Sequence, residues 1–75
     1  MTQTLDLRGL RCPLPVLRAK KVLKGLAAGD EIEVLATDPQ APKDFQSFAE
    51  TTGHALLAST EEAGVFRFRL RRAAD

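Results

Sequence analysis

Residues 4–26, TLDLRGLRCPLPVLRAKKVLKGL, change their hydrophobic period part-way along, and this change decides the fold. Polar and apolar residues alternate over residues 4–7, which is typical of a short, half-buried strand, and Gly9 then interrupts the alternation. Over residues 13–26 the apolar positions recur at helical spacing, and these positions are Val16, Ala19, Leu23 and Leu26. The stretch therefore predicts a strand, a loop and an amphipathic helix.

The remainder of the chain predicts three more strands and a second helix. Residues 31–37 alternate again, and a turn at 38–41 leads to a helix that starts near Pro42 and ends at Gly53. The apolar stripe of this helix comprises Phe45, Phe48, Ala49 and Thr52. A third strand is expected over 54–60, a turn at EEAG (61–64), and a last strand with Phe66, Phe68 and Leu70 on one face.

This order of elements, βαβαββ, predicts an α+β fold in a single domain over residues 1–75. Every strand has a polar side, so both helices are expected to cover one face of a four-stranded mixed sheet and leave the other face to solvent. The result is a two-layer α/β sandwich. On the open face, Glu31 and Glu33 are expected to oppose the arginines of the last strand if the two strands are neighbours.

Composition narrows the classes of protein. A chain of 75 residues has a thin core, and one cysteine with one histidine can form neither an internal disulfide nor a four-ligand zinc site alone. The first ten residues lack the cationic start and apolar run of a secretory signal, and no run reaches the roughly 20 apolar residues that span a bilayer. We therefore expect a cytoplasmic protein whose thiol stays free.

The charges are sorted along the chain although the formal net charge is only +1. Residues 8–24 hold six cations and no acid, residues 30–62 hold eight acids and the single base Lys43, and four arginines follow at positions 67, 69, 71 and 72. A local basic field attracts an acidic protein surface or a phosphate backbone, and the sequence does not choose between them.

The only cysteine, Cys12, stands before two prolines spaced two apart. With Pro13 at the first and Pro15 at the third helical position, neither ring removes an intrahelical hydrogen bond, and Cys12 takes the cap position at the positive end of the helix dipole. Arg8 and Arg11 are close in sequence. We therefore expect a lowered thiol pKa and a nucleophilic thiolate.

The N–H of Leu14 is a further group that is expected to point at the sulfur. The alternative is that Cys12 is a small buried apolar residue. The absence of a second cysteine excludes a dithiol cycle within the chain, and His54, at the far end of the second helix, gives little support to a Cys-His hydrolase. A lone activated thiolate that carries a group is the interpretation that remains.

Several segments match a known family in the same order along the chain: LDLRGLRCPLPVLRAKKVL (5–23), which contains a CPxP motif, DP (38–39), KDF (43–45) and GH (53–54). The sequence resembles the TusA/SirA-like sulfur carrier proteins over nearly its whole length. The fold of that family is a βαβαββ two-layer sandwich, as the hydrophobic pattern predicts.

The resemblance implies that Cys12 accepts a sulfane sulfur as a persulfide from a cysteine desulfurase or rhodanese-type donor and passes it to an acceptor protein. It implies a sulfurtransferase-type carrier in a relay, with the transient persulfide in place of a cofactor or metal. From the chain itself we expect no direct nucleic acid or membrane binding, and a monomer when free. The residues expected to shape the site are Arg11, Pro13, Leu14 and Pro15. The residues expected to dock acidic partners, or alternatively to form an ordinary solvated surface, are Arg8, Arg18, Lys21 and Lys24.

The resemblance leaves the pathway open. Some members that serve tRNA thiolation have an acid where this chain has Leu14, and other members serve sulfur oxidation or molybdenum cofactor maturation. Asp44 and His54 also match family positions. We interpret Asp44 as a first-turn helix charge and His54 as a residue at the start of a strand that bonds to the backbone.

Two other functions compete with the carrier. The arginines of the last strand suggest an RNA-binding or regulatory module, although the chain has no Tyr or Trp and all four phenylalanines fall on apolar stripes. The other alternative is a redox-regulatory module in which Cys12 forms disulfides with other proteins.

Overall fold

The computed structural model describes residues 2–73, whose elements follow the predicted βαβαββ order. They are β1 (Thr2–Asp6), α1 (Leu14–Lys24), β2 (Glu31–Ala36), α2 (Ala41–Thr52), β3 (Ala55–Glu62) and β4 (Val65–Arg71). Among these residues, neither helix is long and apolar enough to cross a membrane. The strand order is β1-β2-β4-β3, with β1 parallel to β2 and β4 antiparallel to both of its neighbours. The prediction of a four-stranded mixed sheet is confirmed.

The boundaries of α1 and of the last turn differ from the prediction. α1 stops at Lys24 because Gly25 leaves the helical conformation (φ −90°, ψ 0°), so Leu26 lies beyond the helix. β3 continues through Glu62, which reduces the predicted four-residue turn to Ala63 and Gly64. Both turn residues have positive φ, 51° and 81°, which suits a tight two-residue hairpin.

The core lies between the sheet and the two helices. Alternate residues of β2 are fully buried, as are Phe68 and Leu70 of β4. Phe45 of α2 stacks on Phe68 with ring centroids 4.6 Å apart, and Leu23 of α1 is equally buried. α1 follows β1 and α2 follows β2, so both helices begin near the C-terminal ends of these strands. The only cysteine lies in the loop between β1 and α1.

On the open face of the sheet, arginines of β4 form ion pairs with glutamates of β2. Arg71 Nη2 lies 3.0 Å from Glu31 Oε2, and Arg69 Nη1 lies 3.9 Å from Glu31 Oε1. Arg67 Nη1 lies 3.8 Å from Glu33 Oε2. The expected opposition of these strands is confirmed. It weakens the RNA-binding interpretation, since these three arginines already face carboxylates of their own sheet.

Candidate functional site

Cys12 lies in the exposed loop between β1 and α1, one residue further from the helix than predicted. α1 begins at Leu14, so Pro13 is the N-cap and Pro15 the second helical residue. The Leu14 N–H donates to the Arg11 carbonyl oxygen at 2.8 Å and closes a turn before the helix. The expectations that Cys12 caps α1 and that the Leu14 N–H points at the sulfur are therefore wrong.

Three hydrogen bonds fasten this loop to the end of β2. The Leu7 N–H donates to the Leu35 carbonyl (2.8 Å), the Gly9 N–H to Thr37 Oγ1 (2.9 Å), and the Cys12 N–H to Asp38 Oδ2 (2.7 Å). The parallel pairing of β1 with β2 brings the two strand ends to the same edge of the sheet. The cysteine is thus held against the segment that leads into α2.

Asp38 joins the cysteine loop to the start of α2. Its Oδ1 accepts the Gln40 N–H at 2.7 Å, while its main-chain oxygen accepts the Ala41 N–H at 3.0 Å. The N–H groups of Cys12 and Gln40 lower the pKa of Asp38, with a further contribution from the charge of Arg11. Asp38 was expected in a turn and in the DP pair that matches the family, but no contact with Cys12 was predicted for it. An aspartate that bonds the N–H two residues on is a recurrent turn signal.

A groove of about 360 Å³ runs between α1 and α2, with Cys12 on its rim. Its α1 side comprises Pro13, Val16, Leu17 and Lys20, and its α2 side comprises Asp44, Ser47, Phe48, Thr51 and Thr52. Leu17 is 51% exposed although it is apolar, and Leu14, which begins α1, is 43% exposed. The thiol therefore borders a largely apolar groove with one cation and one carboxylate in its walls.

Cys12 and the carboxylate of Asp44 line the same groove, and hydrogen bonding with Asp44 raises the pKa of the thiol. Partial desolvation of the thiol and the negative charges of Asp44 and Asp38 raise this pKa further. The expected lowering of the pKa by the helix dipole and nearby arginines is therefore wrong. Asp44 lies in the first turn of α2, as predicted, but its position beside the thiol was missed because α1 and β2 separate the two residues in the chain.

Arg8 does not lie beside the thiol. Its Nε and Nη2 bind the two oxygens of Asp6, each at 2.8 Å, and this bidentate contact lowers the pKa of Asp6 to about 2. Arg8 borders a different hollow, together with Glu61 and Glu62 of β3. The expectation that Arg8 would favour the thiolate is not supported, since its charge is taken up by the acid two positions earlier.

The cations of α1 lie along its exposed surface. Lys20 borders the groove with Cys12, whereas Arg18 and Lys21 border a second hollow beside Leu5 of β1. Lys24 lies in the last turn. In the part of the chain that the structure describes, no ion pair engages any of these four side chains. Lys20 was not among the predicted docking residues, although its spacing from Val16 places it at the groove.

His54 lies immediately before β3, whereas it was predicted to be the first residue of that strand. The predicted bond to the backbone is present. The Nδ1 of His54 accepts the Ala73 N–H at 2.9 Å, and its ring lies 5.7 Å from that of Phe48. Within residues 2–73, no group of three or more histidine, cysteine and acidic side chains is placed to hold a metal ion. The groups that the structure brings together at the site are the thiol, two carboxylates and the groove.

The sequence model of a family described as Sulfurtransferase TusA matches residues 3–72. The chain belongs to the TusA family. The sulfur carrier protein TusA of Allochromatium vinosum is 50% identical over 70 residues, which cover 93% of this chain and 92% of that protein. The TusA of Pseudomonas entomophila is 44% identical over 72 residues, covering 96% and 90%.

A solved structure agrees with this membership. The crystal structure of a SirA-like protein from Desulfitobacterium hafniense superposes with a TM-score of 0.83 at 32% identity, covering 99% of this chain and 100% of that one. The resemblance stated from the CPxP segment and the two-layer fold are both confirmed.

Proposed function

We propose that this TusA-family protein is a sulfur carrier that holds a sulfane sulfur on Cys12 between a donor and an acceptor protein. The observation that supports the proposal is the position of the single thiol, exposed on the rim of a groove and fixed through its backbone by Asp38. Relatives at 50% and 44% identity are named as sulfur carriers. An exposed rim suits a group that another protein must reach.

The transfer is an exchange between sulfurs. The Cys12 sulfur loses its proton to solvent and attacks the terminal sulfur of the donor's cysteine persulfide. A new S–S bond forms on Cys12, the S–S bond of the donor breaks, and the donor cysteine leaves as a thiolate. An acceptor thiolate then attacks the terminal sulfur and Cys12 leaves, so the carrier returns to its starting state with no net redox change. No second cysteine is present to intercept the persulfide.

The donor class that fits is a cysteine desulfurase or rhodanese-type protein with an acidic surface around its persulfide. The α1 cations, which have no ion-pair partner within residues 2–73, provide the complementary charge, and Lys20 lines the groove itself. In the reducing cytoplasm the thiol stays free between transfers. The acceptor belongs to tRNA thiolation, sulfur oxidation or molybdenum cofactor maturation, and the apolar Leu14, two positions after Cys12, favours none of the three.

Intact mass spectrometry after incubation with a cysteine desulfurase and cysteine tests the proposal. The expected result is a gain of one sulfur atom that reductant reverses and that Cys12→Ser abolishes. Cys12→Ser is a clean control because the chain has no other cysteine. Wild-type protein that stays unmodified with both donor classes, or that gains sulfur in the serine variant, would overturn the proposal.

A further inference from the structure

Two carboxylates from different segments lie beside Cys12. Asp38, which follows β2, accepts the backbone N–H of Cys12 at 2.7 Å, whereas Asp44 of α2 lines the same groove as the thiol and acts on its pKa. The cations around them are Arg11, whose charge acts on Asp38, Lys20 on the α1 side of the groove, and Lys43, which precedes Asp44 in α2. One acid thus fixes the backbone of the cysteine, and the other shares a groove with its side chain.

We propose that Asp44 is a positioning residue that keeps the unloaded thiol against the groove and turns the loaded persulfide away from it, toward the acceptor. The proposal rests on the carrier function and adds a direction to it. Asp44 would then distinguish the two states of Cys12 by whether the sulfur has a proton to donate.

The argument depends on the change that loading makes at the sulfur. A neutral thiol has one proton to offer to the Asp44 carboxylate, with which it shares the groove. A persulfide is a stronger acid than its parent thiol, so after loading the terminal sulfur is an anion without a proton for Asp44. The loaded state therefore has no attraction to Asp44, and the two like charges repel each other.

The surroundings of the two groups strengthen this repulsion. Val16, Leu17 and Phe48 line the groove beside Asp44, and an apolar lining screens charges less than water does. Asp38 adds a second negative charge that acts on the Cys12 sulfur. The rim position leaves the opposite side open to solvent, so rotation of the side chain outward relieves the repulsion.

Asp44→Asn tests the inference, because it keeps the shape of the side chain and removes its charge. Chemical loading with inorganic polysulfide makes the test independent of any donor protein. The first measurement is the rate of alkylation of the unloaded thiol from pH 6 to 10, roughly the range around the pKa of a free thiol. The second measurement is the rate at which dithiothreitol removes the terminal sulfur from the loaded protein, followed by intact mass.

The expected result is a pair of changes in opposite directions. Asp44→Asn should alkylate several-fold faster at neutral pH, because the neutral amide no longer opposes the thiolate. It should release the terminal sulfur several-fold more slowly, because the persulfide is no longer repelled from the groove. Loss of structure would speed both reactions together, so the opposed signs separate positioning from unfolding.

Glu50→Gln is the matched control, since it removes one exposed carboxylate from the same helix outside the groove. It should behave as the wild type in both assays, and Asp44→Glu should restore the wild-type direction in both. Equal rates for Asp44→Asn and Glu50→Gln would overturn the positioning role. Failure of the wild type to take sulfur from donor proteins would instead count against the carrier function, so the two failures are distinguishable.

Discussion

At the scale of single residues, the charge on Cys12 is decided by neighbours in space and not by neighbours in sequence. Arg8 and Arg11 flank the cysteine in the chain, yet their charges act on Asp6 and Asp38. The thiol instead meets Asp44, from the second helix. A neutral thiol is less readily oxidised than a thiolate, so the raised pKa protects the unloaded cysteine.

Asp38 leads to a prediction about stability and pH. In Asp38→Asn the amide can still accept one N–H but cannot replace both carboxylate oxygens, so the N–H of Cys12 or of Gln40 loses its partner. The variant should unfold at a lower urea concentration than the wild type at pH 7. Circular dichroism is the suitable probe, because the chain has neither Trp nor Tyr.

The pH dependence of this difference follows from the lowered pKa of Asp38. A carboxyl group whose pKa is lower in the folded than in the unfolded state stabilises the fold above its unfolded value of 3.8, and loses this effect as the pH falls through the folded value. The gap between wild type and Asp38→Asn should therefore be full at pH 5 to 7, roughly, and shrink below about pH 4. Asp6→Asn, at an exposed ion pair, should cause a smaller change. A gap that widens in acid would contradict this account.

The sequence was sufficient to propose Cys12 as the reactive residue but not to place the carboxylates around it. A single thiol before a PxP segment is a local signal, and one position in the chain contains all of it. The roles of Asp38 and Asp44 depend on the parallel pairing of β1 with β2, which brings the cysteine loop to the start of α2. A reading of hydrophobic periods predicts that the strands exist but does not give the distance between their loops.

At the scale of elements, the hydrophobic period predicted the buried face of α1 better than it predicted its ends. Ala19 and Leu23 are fully buried, as their spacing indicates. The start depends on a turn from Arg11 to Leu14, and the end depends on Gly25, and both are local backbone events without a period. The cations of α1 therefore fall on the predicted surface, while the cysteine lies outside the predicted cap.

The exposed cations of α1 lead to a prediction about the docking of a sulfur donor. Lys20→Gln with Lys21→Gln removes two charges from α1 that have no ion-pair partner among the described residues. Loading by a donor desulfurase should slow by roughly tenfold at low salt, because long-range attraction raises the rate of encounter. The difference should narrow as ionic strength rises, because salt screens exposed charges. Single-turnover loading kinetics at several salt concentrations measure both effects.

A matched control comes from the other layer of the molecule. Arg67→Gln with Arg69→Gln removes the same charge from arginines that face Glu33 and Glu31 across the open face of the sheet. This variant should load within about twofold of the wild type, because only small effects are expected from exposed ion pairs remote from the encounter surface. Equal slowing by the two double variants would show that net charge, and not the α1 surface, governs docking.

At the scale of the whole molecule, one thin core supports both the fold and the site. Few large side chains fill the core between the sheet and the helices. The rings of Phe45 and Phe68 stack at the centre of this core. Asp44 directly precedes Phe45 on α2, so the burial of one side chain fixes the position of the other. The alternating and helical patterns predicted this core correctly, because burial is the property that creates those patterns.

Phe45→Ala should therefore remove much of the stability of the protein. Emptying a fully buried phenylalanine site costs about 3–5 kcal/mol, whereas a domain of this length has a total of about 4–11 kcal/mol at typical values per residue. Phe66→Ala is the control, because Phe66 is only partly buried and should cost less. Urea unfolding followed by circular dichroism gives both free energies of unfolding. If Phe45→Ala costs no more than Phe66→Ala, the stacked pair is not the centre of the core, and α2 must be held in place by other contacts.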